Sequence, residues 1–162
     1  MGYYVQVTNA NVFMSKDNFD KAYQAAIALN QQDNLKSGGG WTNELKGSDP
    51  RPEGLDYHPA KWFSWVDAEY HTKCKTLDEV FKEFRFETMY DNDGNLINLH
   101  FDCKVGDEVF LLTAIAPYFK DGSYLEWRGE EGETWKYIFA DGKIREQQGV
   151  IVWEDIDEVV IR

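Results

Sequence analysis

The chain of 162 residues is poor in most of the features that announce a chemistry. It has two cysteines, Cys74 and Cys103, too few for a disulfide framework, so a reducing, cytoplasmic setting is expected. No apolar run approaches the roughly twenty residues that span a bilayer. The opening MGYYVQVTNANVF has neither a basic leader nor a long apolar core, so it does not read as a secretory signal. Positive charge is also scarce. Lys and Arg number 17 against 29 Asp and Glu, a net charge of −12 with a pI near 4.6. Such a balance repels nucleic-acid backbone and anionic membrane and favours basic partners. No G-x-S-x-G elbow, H-E-x-x-H zinc motif or complete EF-hand loop occurs.

Aromatic residues, by contrast, are plentiful at 15%, and a chain of this length can bury a core without disulfides or metals. Tyr3, Val5 and Val7 alternate with Tyr4, Gln6 and Thr8, which reads as a first strand. Ser15 can cap a helix over about 16–31 with the stripe Phe19, Ala22, Tyr23, Ala26 and Ile27. Residues 34–59, rich in Gly, Asn, Asp, Ser and Pro, lack a usable period and read as a long loop. Thr76-Leu77-Asp78-Glu79 is a capping box for a second helix carrying Val80, Phe81 and Phe84. FETMY and LINLHFDC flank DNDGN, a hairpin signal. Asp107 is placed to cap a third helix ending near Pro117, with Gly122 closing the turn. SYLEWRG, TWKYIFA and KIREQQGVIVWE then read as a three-stranded meander.

These elements predict one α+β domain over 1–162: a largely antiparallel sheet, three helices and the inserted 34–59 loop. If the second helix is an excursion, the main order is β-α-β-β-α-β, the ferredoxin-like order, with an extra C-terminal hairpin extending the sheet.

Four candidate chemistries deserve weighing. His71-x-x-Cys74 and His100-x-x-Cys103 supply zinc-ligand types, but a straight strand sends His100 and Cys103 to opposite faces. A bulge at Phe101 or Asp102 would be needed to bring them together, so no metal or other cofactor is expected. SGGGW (37–41) lacks the Lys-Ser/Thr of a phosphate loop and reads as flexible linker. DNDGNLINLHFD misplaces the glycine and glutamate of a calcium loop. Glu126 and Glu133 could face each other across the 123–139 hairpin, yet neither sits where desolvation would split their pKa values.

The stretch HPAKWFSWVDAEYH (58–71) crowds Trp62, Phe63 and Trp65 together. They are expected mainly to pin the long loop to the sheet, with Phe63 and Trp65 buried. A ligand-binding version has Trp41, Trp62 or Trp65 stacking a planar group, while Arg51, His58 and Lys61 meet its negative charge. Acid clusters at Asp91 and Asp93, at Glu130, Glu131 and Glu133, and at Glu154, Asp155, Asp157 and Glu158. Aligned on one surface, these would imitate the charge row of nucleic acid and suit a basic groove.

GYYV, RPEGLDYHPAKWFSW and AIAPYFKDGSYLEWRGEEGETWKYIFADGK together resemble a group of small acidic proteins encoded by bacteriophages, prophages and some bacteria. The likeness covers most of the chain but carries no activity that transfers residue by residue. It implies an accessory protein acting on host or defence machinery in a bacterial cytoplasm. The favoured expectation is therefore a non-catalytic binding protein that inhibits or modulates a basic host or defence protein through an acidic surface. It would bind neither nucleic acid nor membrane directly. The alternatives are a nucleotide or nucleotide-signal binder using Arg51–Trp65, and an acid–base or metal-assisted enzyme.

Overall fold

The computed structural model describes residues 2–42 and 44–157. It begins with β1 (Tyr4–Asn11) and α1 (Phe19–Ala28). The inserted loop carries β2 (Gly38–Gly39), β3 (Trp41–Thr42), β4 (Leu45–Lys46) and β5 (Lys61–Trp62), followed by α2 (Tyr70–Lys73) and α3 (Leu77–Glu83). Next come β6 (Glu87–Tyr90), β7 (Leu96–His100), β8 (Asp102–Lys104) and α4 (Glu108–Ile115). A meander of β9 (Tyr124–Gly129), β10 (Thr134–Ala140) and β11 (Lys143–Gln148) completes the α+β fold.

The main sheet is antiparallel in the order β11-β10-β9-β1-β8. β7 and β8 are one strand interrupted at Phe101, whose carbonyl accepts the Val7 amide at 2.8 Å. Farther along, Met14 and Leu96 exchange both backbone bonds, and β6 pairs on the outer side of β7. β1 thus lies between β8 and β9, and each helical crossover skips one strand. That is the split βαβ arrangement expected for the ferredoxin-like order. β10 and β11 extend it on the β9 side.

The helices cover one face of the sheet. α1 buries Ala22 and Ala26, small residues that let it approach α3 and α4 closely. α3 starts at the expected capping box, Thr76 Oγ1 accepting the Glu79 amide at 3.1 Å. Between layers lie Val5, Val7, Phe81, Phe86, Phe101, Leu125, Trp127 and Phe139, all buried. Phe86, Phe101 and Trp127 form a run of tilted and edge-on rings with centroids 5.2–6.3 Å apart. The opposite face of the sheet, with Tyr4, Gln6, Thr8, Asp102 and Arg128, is open to solvent. Among the described residues no helix is long and apolar enough to cross a membrane.

Several local expectations are corrected. Besides the three expected helices there is α2, a single turn, and residues 16–18, 29–31 and 33–35 form 3-10 turns around α1. Ile97 is the extra residue opposite the Met89–Tyr90 step, so Leu96 and Leu99 both point inward while Ile97 is only half-buried. The 37–41 glycines are not a loose linker. Gly38 and Gly39 pair with Trp62 and Lys61, and a Cβ on Gly38 would lie 2.4 Å from the Trp62 ring. Only glycine admits that indole. Phe63 is buried as expected, but Trp65 is 57% exposed at a φ of 67°. Glu126 faces Lys136 at 3.2 Å, not Glu133, whose carboxylate takes the Tyr3 hydroxyl. The strand read as KIREQQGVIVWE stops at Gln148.

Candidate functional site

The long insertion is held by buried polar groups, and these commit Arg51 and His58, two of the six proposed ligand residues. Asp107 makes no capping bond to α4. Its carboxylate accepts the Ser37 amide (3.0 Å), the Ser37 hydroxyl (2.7 Å) and the Ser64 amide (2.9 Å). One side chain therefore fastens both ends of the insertion. Deeper in, the Arg51 Nε and Nη2 donate to Asp33 Oδ2 at 3.0 and 2.9 Å, and Nη2 also reaches the Gln31 carbonyl. Lys36, its side chain fully buried, donates to Asp33 Oδ1 and the Asn30 carbonyl, both at 2.7 Å.

The two partners of that pair shift for different reasons. Burial pushes the Asp33 carboxyl upward, but bonds from Lys36 and Arg51 outweigh it and leave the group below its ordinary value. For Lys36, burial prevails over Asp33 and lowers the ammonium.

His58 is likewise structural: its Nδ1 accepts the Ala60 amide and its Nε2–H donates to the Asp49 carbonyl. Lys61 and Trp62 form β5, with Trp62 lying over the glycines. Trp41 is 71% exposed beside the Lys46 ammonium, 4.6 Å from its ring. Trp65 stands elsewhere, next to Lys104 at the β8 end of the sheet. Arg51 and His58 are thus committed to the loop, while Trp41 and Trp65 keep open rings in different surroundings.

His71 Nδ1 meets the buried Asn30 amide at 2.8 Å and Nε2 faces Asp56 at 3.1 Å. Cys74 is buried, and desolvation pushes its thiol up to about 11. His100 is exposed, whereas Cys103 is half-buried against the core. Among the described residues, no three His, Cys, Asp or Glu side chains cluster to hold a metal.

The acidic residues do not form one row. Asp91 and Asp93 occupy the β6–β7 turn, where Asp91 accepts backbone amides of Asp93 and Asn95. Glu130, Glu131 and Glu133 sit in the β9–β10 turn, at the other end of β1. There Glu130 accepts the Tyr4 amide at 3.1 Å and the Tyr3 hydroxyl joins Glu133. Glu154, Asp155 and Asp157 are exposed beyond β11, and Glu158 lies outside the described residues.

That region beyond β11 carries the feature sequence reading missed. The Gly149 amide still bonds the Thr134 carbonyl at 2.8 Å, but Thr134 is the first residue of β10. Past it the sheet offers no neighbour among the described residues. Val150 (80% exposed), Ile151, Val152, Trp153 (91%) and Ile156 consequently project into solvent beside the three acids. The mismatch was visible in the lengths, since TWKYIFA cannot pair with all twelve residues of KIREQQGVIVWE.

One further concavity, of about 510 Å³, lies between α1 and the start of α3, with Phe19, Tyr23, Leu77 and Phe81 as its apolar wall. Asp78 stands at its rim, accepting the Thr88 and Tyr90 hydroxyls and pairing with Lys82, each at 2.6 Å. Compared with protein-family models, curated proteins and solved structures, the chain matches none.

Proposed function

We propose that this chain is a non-catalytic binding protein that captures a basic protein through the exposed 150–157 segment. One observation carries the reading: four consecutive apolar residues, then Glu154, Asp155 and Asp157, stand outside the sheet with no cover among the described residues. Apolar side chains in a contiguous exposed run mark an interaction surface. β-branched residues in extended backbone are suited to strand addition, in which main-chain bonds give affinity and alternate side chains give specificity. Glu154, Asp155 and Asp157 select a positively charged receiver, and Glu131 in the β9–β10 turn adds charge at the same end of the sheet.

This reading narrows the acidic surface expected from sequence to its C-terminal portion. The resemblance to phage and prophage proteins points the partner toward host or defence machinery. The test is affinity capture from bacterial lysate with the intact chain and with an Ile151→Asp/Trp153→Asp variant, at rising salt. Capture of the same basic protein by the wild type alone, weakening with salt, is the expected result. Equal recovery by both baits would remove the segment from the account.

A second reading rests on the concavity between α1 and α3, whose size and apolar lining suit a small ligand. A panel of nucleotides and signalling dinucleotides in a thermal-shift assay decides it. A ligand at a hundredfold over its Kd stabilises by about 2.7 kcal/mol, and a flat response across the panel removes nucleotides as the ligand.

A further inference from the structure

β11 is the outermost strand of the sheet, so its outer edge is unpaired among the described residues. A bare edge and an exposed strand-forming segment in one chain are complementary halves of a single contact. On the open face of β11 stand Lys143 and Arg145, both exposed and neither ion-paired among the described residues. On its core face Ile144 packs half-buried beside Phe139.

We infer that the 152–157 segment of one copy adds antiparallel to the free edge of β11 in a second copy, reciprocally, giving a two-fold dimer. This rests on the binding role of the segment and adds its regulation, because a segment occupied in the dimer is withheld from the heterologous partner.

Side-chain parity selects the register. Directly opposed residues of an antiparallel pair share a face. Setting Ile156 opposite Ile144 puts Asp155 opposite Arg145 and Asp157 opposite Lys143. The apolar residue then extends the core side, and both acids meet bases on the open side. Glu154 falls opposite Glu146, the one like-charge pair this register accepts. No other antiparallel register sets an acid of this segment opposite both Arg145 and Lys143, because only Asp155 and Asp157 share their two-residue spacing. A second copy closes the contact symmetrically, since each chain offers one edge and one segment.

Folding back within one chain meets a local obstacle. The same register would need Gly149, Val150 and Ile151 as a three-residue hairpin loop, and such loops place a residue in the left-handed region near their end. Val150 and Ile151 are β-branched and resist that conformation. The Gly149 amide also remains on β10, so the residue that would open such a loop is still held in register with the sheet. The remaining opposition is net charge: −12 on each copy repels, which makes the dimer favoured by salt at long range. The Asp155–Arg145 pair opposes that trend locally.

The experiment is sedimentation velocity on the full chain from micromolar to millimolar concentration, combined with hydrogen exchange of the 150–157 amides. The expected outcome is a reversible dimer in which the alternate amides of Val152, Glu154 and Ile156 are protected. Arg145→Glu should raise the dimer dissociation constant by about tenfold or more. Arg145→Glu combined with Asp155→Arg restores the charge match and should restore the dimer. A monomer at every concentration overturns the inference, as does a dimer indifferent to Arg145→Glu. Protected amides in a monomer would show the segment folding back in its own chain, which also overturns it. Failure here leaves lysate capture by the segment intact, whereas indifference of that capture to Ile151→Asp/Trp153→Asp sinks the functional reading without touching dimerisation.

Discussion

Replacing Asp107 tests whether one carboxylate fastens the inserted loop. It is buried, and accepts the Ser37 amide, the Ser37 hydroxyl and the Ser64 amide at 2.7–3.0 Å. Asp107→Ala leaves two main-chain donors without their acceptor. Hydrogen bonds to a charged group contribute about 1.5–3 kcal/mol each, and an orphaned buried donor costs about 1–3 kcal/mol. Ser37 is itself exposed, so water can serve its amide and hydroxyl; Ser64 is half-buried and less easily served. A total loss of about 3 kcal/mol follows, discounting the Ser37 bonds for solvent. For a chain of this size that lowers Tm by roughly 6–12 °C. Asp107→Asn keeps an acceptor for the two amides and turns its amino group to the Ser37 hydroxyl, so it should lose only about 1 kcal/mol. Urea unfolding of the three proteins measures the differences, and exchange of the Ser37 and Ser64 amides reports whether the loop ends open first. An Asp107→Ala protein within about 0.5 kcal/mol of wild type would refute the fastening role.

Gly38→Ala drives a methyl into the Trp62 ring and toward its carbonyl, and should cost about 1–3 kcal/mol in urea unfolding. Acid should destabilise the loop in a defined direction. The folded-state pKa of Asp33 lies below its ordinary 3.8, so its contribution is present above that value and fades as pH falls through the depressed one. Arg51→Met removes one cause of the depression, and its stability against pH should be flatter below pH 4 than the wild type's. The Cys74 thiol, buried and pushed up to about 11, should react with a thiol reagent at neutral pH only as fast as the protein opens, which stopped denaturant series can follow.

The legible parts of this fold were those with local causes. The Thr76–Glu79 capping box, the Asp91–Asn95 turn and the α1 stripe each depend on residues within a few positions, and all stand where periodicity and capping chemistry place them. The alternation of the first and ninth strands also sufficed to give an antiparallel sheet, and the element order its crossovers. Less legible were features fixed by distant partners. Nothing near Asp107 says that its carboxylate serves Ser37 and Ser64, 70 and 43 positions away, in preference to the helix it precedes. Nothing in SGGGW reveals that an indole from β5 requires those glycines. Arg51 looked like a ligand group because its acid partner, Asp33, lies 18 residues back on the far side of the loop.

The candidate site followed the same division, with one difference. By residue type Arg51, His58 and Lys61 suit the charged rim of a pocket, but type alone cannot tell a committed donor from an available one. The structure commits the guanidinium to Asp33 and the imidazole to two main-chain groups. The exposed segment errs the other way: Val150–Trp153 has the composition of a strand but is not in one. A strand needs a neighbour of equal length, and β10 begins at Thr134, opposite Gly149. The unmet pairing demand of residues 150–157 is therefore a consequence of where β10 starts. Lengthening the β9–β10 hairpin by two residues on each strand should give the segment an internal neighbour. Protection of the Ile151 amide, which points toward β10 as the Gly149 amide does, would rise in the monomer, while the outer edge used in the proposed dimer stays free and self-association persists. Loss of the dimer after such an insertion would show that self-association uses the β10-facing edge of this segment and not its outer one.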